Sequence, residues 1–346
     1  MKGKNIIAIP PYYSKTSFEE IVLSLRMATK NLNVEVLFIG ASRPLPNRLT
    51  DSFLDDFNYI KGQISLIKNL CQIKDARKIL FLDYFNPGLD ILFYNNQKLN
   101  NYKCKYGALL HGTSFFDDDL YFFPWLKYFE LSWAQIYNSI YTPSRYITKN
   151  LPISIRNKIK ILPFGVDSIN FISRENYKKK YDVIFPHRLN EDKGITQFID
   201  IIKKMSDVEF FIIVPQKKNF VSKNNFYIKL KKFSNVKFIF SESPDKHLST
   251  LSDAKIVLSC AKQENFGYSV IKSVLCGCIP VLPNKLCYPE LFDKRFLYNN
   301  TNEAIDLIYK YLNNNQQYVD NYLMKVKNEI SKFSFLTLLK DFFEDK

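Results

Sequence analysis

Glycine is scarce in this chain, 10 of 346 residues, and histidine is scarcer still, with 3. So few histidines cannot furnish a His-rich metal centre. The six cysteines (Cys71, Cys104, Cys260, Cys276, Cys278 and Cys287) include no pair at zinc-site spacing backed by histidine. No apolar stretch approaches the roughly 20 residues that a membrane span requires, so any membrane contact would be peripheral. A signal peptide is lacking as well, and free thiols without one predict a reducing, cytoplasmic setting. No Ser/His/Asp series or cysteine-nucleophile pattern stands out, which argues against covalent catalysis through such side chains. Short-period repeats and long low-complexity tracts are also missing.

What is present is ample core material: 46% hydrophobic residues, with 30 Phe and 22 Tyr. The length suits two domains of middling size. Strand-like runs recur at Asn5–Ile9, Val34–Ile39, Lys78–Asp83, Tyr106–Leu110, Ile140–Thr142 and Lys158–Leu162. A second series follows at Asp182–Phe185, Glu209–Val214, Val236–Phe240, Lys255–Ser259 and Ile279–Leu282. Such near-continuous apolar runs suit strands buried on both faces. Amphipathic segments fall between them, among them Phe18–Thr29, Leu120–Gln135, Ile195–Lys204 and Ser269–Cys276. Alternating strands and helices predict an α/β fold with parallel sheets covered on both sides.

The series restarts after Val166-Asp167, and the polar stretch Ser168–Lys180 reads as a linker. The expectation is therefore two doubly wound domains, 1–167 and 168–333, facing across a cleft. In such folds ligands bind outside the carboxyl ends of the strands. The last stretch, 334–346, predicts a helix with Phe335, Leu336, Leu339, Phe342 and Phe343 on one face, able to pack back on the first domain.

Net charge is +15, spread over both halves. A field of that sign favours polyanions: nucleotide diphosphates, nucleic acid or an anionic membrane surface. Three segments of the second half carry candidate chemistry. In Phe185-Pro186-His187-Arg188-Leu189-Asn190-Glu191-Asp192-Lys193-Gly194 a strand ends and a helix begins. Arg188 and Lys193 beside a helix N-terminus make a diphosphate site, because charge, donors and dipole act together. His187 there is either structural or a phosphate neighbour.

In Gln263-Glu264-Asn265-Phe266-Gly267-Tyr268-Ser269, Gly267 permits a tight turn and the amides from Tyr268 and Ser269 onward open a second anion cradle. Glu264 is the carboxylate placed to accept hydrogen bonds from hydroxyls. The third segment, Cys276-Gly277-Cys278-Ile279-Pro280-Val281-Leu282, reads as a helix capped by Gly277 that runs into a buried strand.

Taken together these segments resemble the family-4 glycosyltransferases of GT-B fold. Arg188, Lys193 and Gly194 match the family's arginine and lysine five apart before a glycine. Glu264, Phe266 and Gly267 match its glutamate followed by Phe-Gly. Pro163-Phe164-Gly165-Val166-Asp167 matches its proline–x–glycine–valine–aspartate hinge. His111-Gly112 falls where the family has a histidine beside the donor sugar. Two positions depart from the pattern. Pro10-Pro11-Tyr12-Tyr13-Ser14 lacks the glycine-rich turn, and position 272 is lysine where the family has a second glutamate for the ribose. Phe185-Pro186-His187-Arg188, the Cys276–Cys278 segment and Tyr288-Pro289-Glu290 are similar to the subgroup containing the tRNA-queuosine mannosyltransferases.

The resemblance implies two Rossmann-like domains and transfer of a sugar from a nucleotide-diphosphate donor to an acceptor hydroxyl, retaining and metal-independent. It implies no cofactor beyond the nucleotide-sugar itself. His111 and Glu264 are then the catalytic pair, with Arg188, Lys193, Gly267, Tyr268 and Ser269 on the diphosphate and Lys272 in the nucleotide region. Two other readings stay open: a glycosyltransferase acting on a tRNA base or a hydroxymethylated DNA base, and a non-catalytic sugar-nucleotide binder. Asp117-Asp118-Asp119 fits helix capping, an acceptor contact or a metal. Lys217–Lys237, interleaved with Phe220, Phe226, Tyr227 and Phe233, fits a polar helix or a nucleic-acid groove. His247 is expected on a surface helix, without a role.

Overall fold

The computed structural model describes residues 3–11, 17–41, 57–99, 103–116, 124–166, 179–215, 224–241, 244–313 and 316–344. The run Asp117–Asp119, most of the linker (168–178), Tyr12–Ser14 and residues 217–223 of the lysine-rich stretch lie outside them.

The chain divides into one unit of Met1–Ile169 with Phe333–Lys346, and a second of Asn170–Lys332. In the first, strands β1 (Lys4–Ala8), β2 (Val36–Ile39), β3 (Ala76–Phe81), β4 (Lys105–Leu109), β5 (Ser139–Thr142) and β6 (Ile159–Ile161) form one sheet. Its order is β2-β1-β3-β4-β5-β6, with every pairing parallel. Helices α1 (Ser17–Thr29), α2 (Phe57–Cys71), α3 (Leu89–Tyr94), α4 (Leu126–Ile136) and α5 (Ile153–Arg156) link these strands. Strand residues Ile6, Ile79, Phe81, Tyr106 and Ile140 share one buried cluster with Leu66 and Leu70 of α2 and Trp133 of α4.

In the second unit, β7 (Tyr181–Phe185), β8 (Phe210–Pro215), β9 (Val236–Ser241), β10 (Ala254–Leu258), β11 (Ile279–Pro283) and β12 (Leu297–Tyr298) order as β12-β11-β10-β7-β8-β9. They too pair in parallel. This is the dinucleotide-fold order, and its switch point lies between β7 and β10, where connections leave in opposite directions. Helix α6 (Ile195–Lys204) follows β7. Next come α7 (Asn225–Leu230), α8 (Pro244–Ser252), α9 (Tyr268–Leu275), α10 (Tyr288–Leu291), α11 (Thr301–Asn313) and α12 (Gln316–Ile330). Phe198 of α6 stacks on Phe185 with ring centroids 4.2 Å apart, which fixes α6 over the end of β7. Gly277 closes α9 as expected: its N–H donates to Val274 O, and the N–H of Cys278 donates to Ser273 O.

The last helix, α13 (Phe335–Phe343), belongs to the first unit and packs on α1 and β3. A buried lysine holds it there. Lys78, in the middle of β3 and 2% exposed, donates from Nζ to the carbonyls of Phe342 and Phe343, at 2.8 and 3.3 Å. An ammonium on the last carbonyls of a helix satisfies acceptors that the helix itself leaves open. No helix among the described residues is long and apolar enough to cross a membrane.

Candidate functional site

Two loops leave the carboxyl ends of β7 and β10, on either side of the switch point. The first holds His187, Arg188 and a single 3-10 turn, Glu191–Lys193, before Gly194 opens α6. The second holds Gln263, Glu264 and Gly267 before α9. The two are laced together. The amides of Lys262 and Gln263 donate to the carbonyl of Asp192, at 2.9 and 3.1 Å, and Lys262 pairs with Glu191.

Gly194 makes this approach feasible. It sits at φ +68°, and a Cβ there would lie 1.8 Å from the Cys260 carbonyl oxygen. Any side chain at position 194 would therefore push the loops apart.

Lys193 lies between them. Its Nζ donates to Gln263 O at 2.9 Å and to a Glu264 carboxylate oxygen at 3.2 Å, with both side chains largely buried. The other Glu264 oxygen accepts the N–H of Gly267 at 3.1 Å. Burial pushes the Glu264 carboxyl up, but Lys193, His187 and these hydrogen bonds outweigh it and hold the group below the usual glutamate range. Glu264 is thus an ionised carboxylate held in one orientation. Gly267, at φ +80°, caps α9, and a Cβ there would come within 3.2 Å of the Tyr288 ring. Tyr288 is itself fixed, its hydroxyl 2.8 Å from Ser259 Oγ.

Arg188 is half exposed and bonds Asp192 at 3.1 Å. Arg188 and Lys193 both face the Asp192 carboxylate, at 3.1 and 3.6 Å, and Lys193 is linked through Glu264 to the Gly267 N–H at the N-terminus of α9. That collection can hold a diphosphate. His187 is buried in the same cluster. Its imidazole is pushed down to about 3, by burial first and then by Lys193 and Arg188, with Glu264 opposing, so it is neutral at pH 7.

Lys272 lies on α9, within electrostatic reach of His247 on α8 and of Cys276. His247 is half-buried rather than on an open surface, and burial together with Lys272 pushes it down to about 4. Around Lys217–Lys237 the described residues form α7 and β9. A groove of about 360 Å³ between α6 and α7 is lined by Asp200, Lys203, Phe226, Lys229, Lys232 and Phe233.

In the first unit, His111 follows β4. Its Nε2 lies 2.8 Å from the Leu82 carbonyl, which can only accept, so Nε2 carries the proton. Burial pushes this imidazole down to about 4, the Leu82 bond opposing, so it is also neutral at pH 7. Its ring packs on Phe164 of the Pro163–Val166 segment, and Phe164 stacks on Phe335. The loop after His111 is fixed by buried Glu130 of α4, which accepts from the Thr113 hydroxyl (2.7 Å) and the Ser114 N–H (2.9 Å).

Asp192 and Glu130 are the contributors to which motif reading gives no role. Asp192 left one signal, an acid four residues after Arg188. Glu130, mid-helix among apolar residues, left the oddity of a carboxylate at a core position.

A two-domain α/β chain with two parallel six-stranded sheets has the fold of the GT-B glycosyltransferases. Within it, residues 167–328 match the family described as Glycosyl transferases group 1. A tRNA-queuosine alpha-mannosyltransferase of Drosophila melanogaster is 29% identical over 176 residues, 47% of this chain and 47% of that protein. The match thus spans about half the length of the curated relative. Among solved structures, sucrose-phosphate synthase from Thermosynechococcus elongatus is similar at TM-score 0.70 and 10% identity, covering 98% of this chain and 97% of that one. A point mutant of S. aureus TarM, in complex with fondaparinux, alpha-GlcNAc-glycerol and UDP, is similar at TM-score 0.60 and 19% identity. That likeness covers 81% of this chain and 58% of TarM.

Proposed function

We propose that the chain is a glycosyltransferase that moves a sugar from a nucleotide-diphosphate donor to an acceptor hydroxyl, with the diphosphate held by its second unit. The observation that carries this reading is the Lys193–Glu264 pair at the β7/β10 switch point, with Arg188 and the α9 N-terminus beside it. Arg188, Lys193 and the amides of Tyr268 and Ser269 stabilise charge that builds on the leaving diphosphate. Glu264, ionised and oriented by Lys193 and Gly267, accepts hydrogen bonds from hydroxyls of the donor sugar. His111, a neutral imidazole, is the first unit's substrate-facing residue. Catalysis is then electrostatic and positional, retains the anomeric configuration and needs neither a metal nor a nucleophilic side chain.

A second reading concerns the acceptor. Net charge +15, the lysine- and phenylalanine-lined groove and the relative that is a tRNA-queuosine mannosyltransferase all favour an RNA base over a small sugar. Binding of a tRNA transcript that weakens steeply with salt supports it, whereas salt-independent or absent binding removes it.

The donor assignment is tested by turnover. Arg188→Ala should cut transfer or donor hydrolysis by ~100-fold, the usual cost of removing a charge-stabilising group. It is the cleaner probe, because Arg188 is half exposed and its ion pair adds little to stability. Lys193→Ala should lose as much activity but also leaves Glu264 buried and unpaired, so its folding must be measured alongside. Near-normal turnover in folded Arg188→Ala would remove the diphosphate assignment.

A further inference from the structure

One polar atom at the switch point is not accounted for by the grip just described. His187 is 5% exposed, and its Nε2 has no hydrogen-bond partner. Phe185 packs edge-on against the ring, centroids 5.1 Å apart. A buried nitrogen without a partner destabilises the fold, and an apolar side chain of similar size would suit this spot better. The groups around it are Lys193, Arg188 and Glu264, the residues assigned to the donor.

We propose that His187 presents Nε2–H to a phosphoryl oxygen of the donor diphosphate, as an uncharged third member of the set that Arg188 and Lys193 begin. The inference rests on the donor assignment above. Its chemistry follows from the neighbours. A third cation in this cluster would be repelled by the two already there, whereas a neutral imidazole adds a directed donor at no such cost. Its partner is therefore an anionic oxygen held by the same cations, and its contribution is orientation more than charge.

The experiment is calorimetric titration of UDP and GDP, at several salt concentrations, with Tm measured for each protein. His187→Leu removes the donor and keeps an apolar body. His187→Gln returns an N–H near the Nε2 position. The expected result is a Kd weakened ~10-fold or more in His187→Leu, the scale of one hydrogen bond to a charged group. Its Tm should equal or exceed that of the parent, and His187→Gln should recover most of the affinity. The salt dependence should stay as in the parent for both variants, whereas Arg188→Ala should flatten it.

If His187→Leu folds poorly, His187→Asn against His187→Gln makes the same comparison, because the shorter amide does not reach. UDP or GDP affinity that is unchanged in His187→Leu while Arg188→Ala loses it overturns this inference alone. So does a lowered Tm that His187→Gln does not mend, which marks the ring as structural. A parent protein that binds neither nucleotide overturns the donor assignment, and this proposal with it.

Discussion

At position 272 the chain carries an ammonium where the family it resembles carries a carboxylate. His247 is pushed down to about 4, by burial first and then by the charge of Lys272 beside it. Replacing a cation by an anion reverses that term, because the charged imidazolium is then favoured. Lys272→Glu should therefore raise the His247 pKa toward its ordinary 6.5, followed by NMR of the ring protons. An unmoved titration would place the Lys272 charge elsewhere. On the reading that Lys272 adds to the positive field around the diphosphate, the same variant should weaken UDP or GDP binding. Stronger binding would instead mark Lys272 as a lesion in a ribose site and favour a non-catalytic binder.

The residue scale also shows what a sequence can and cannot reveal about a site. That Arg188, Lys193 and Glu264 belong to loops ending at Gly194 and Gly267 is legible, because glycines mark those tight turns. The bond from Lys193 to the Gln263 carbonyl and the stranded nitrogen of His187 are not, since both depend on which atoms packing brings together.

Elements with several turns or a buried centre are readable from period and punctuation. Ile195–Lys204 is expected and found with the same bounds, because its apolar period begins directly after Gly194. The main strands shift by one or two residues at their ends. Strand β12, two residues long, leaves no period to read, and it is recognised only by its pairing with β11. The C-terminal helix is legible as amphipathic, but its anchor is not: no sequence pattern pairs Lys78 with the Phe342 and Phe343 carbonyls. Replacing it with Met keeps the shape and leaves the Phe342 and Phe343 carbonyls without that donor. Lys78→Met should cost about 1–3 kcal/mol in urea unfolding, the penalty for buried groups left unsatisfied. Unchanged stability would show that α13 does not need this lysine.

At the scale of the whole molecule, two parallel sheets follow from alternating elements and buried apolar runs. The dinucleotide-fold strand order then brings the loops of Arg188, Lys193 and Glu264 to the β7/β10 switch point rather than elsewhere on the second unit. Acceptor identity is the part that neither sheet dictates, since it belongs to surfaces and loops that vary while a fold stays constant.

The claim on which the rest depends is that this second unit binds a nucleotide-diphosphate sugar. A thermal-shift panel of UDP-, GDP-, ADP- and CMP-sugars tests it most directly, because a ligand at ~100 times its Kd adds ~2.7 kcal/mol of stability. At least one diphosphate sugar should raise the Tm of the parent protein, and the shift should vanish in Arg188→Ala. A Tm that no diphosphate sugar of the panel moves would contradict the claim, and a shift that survives the loss of Arg188 would contradict the assignment of Arg188 to the diphosphate.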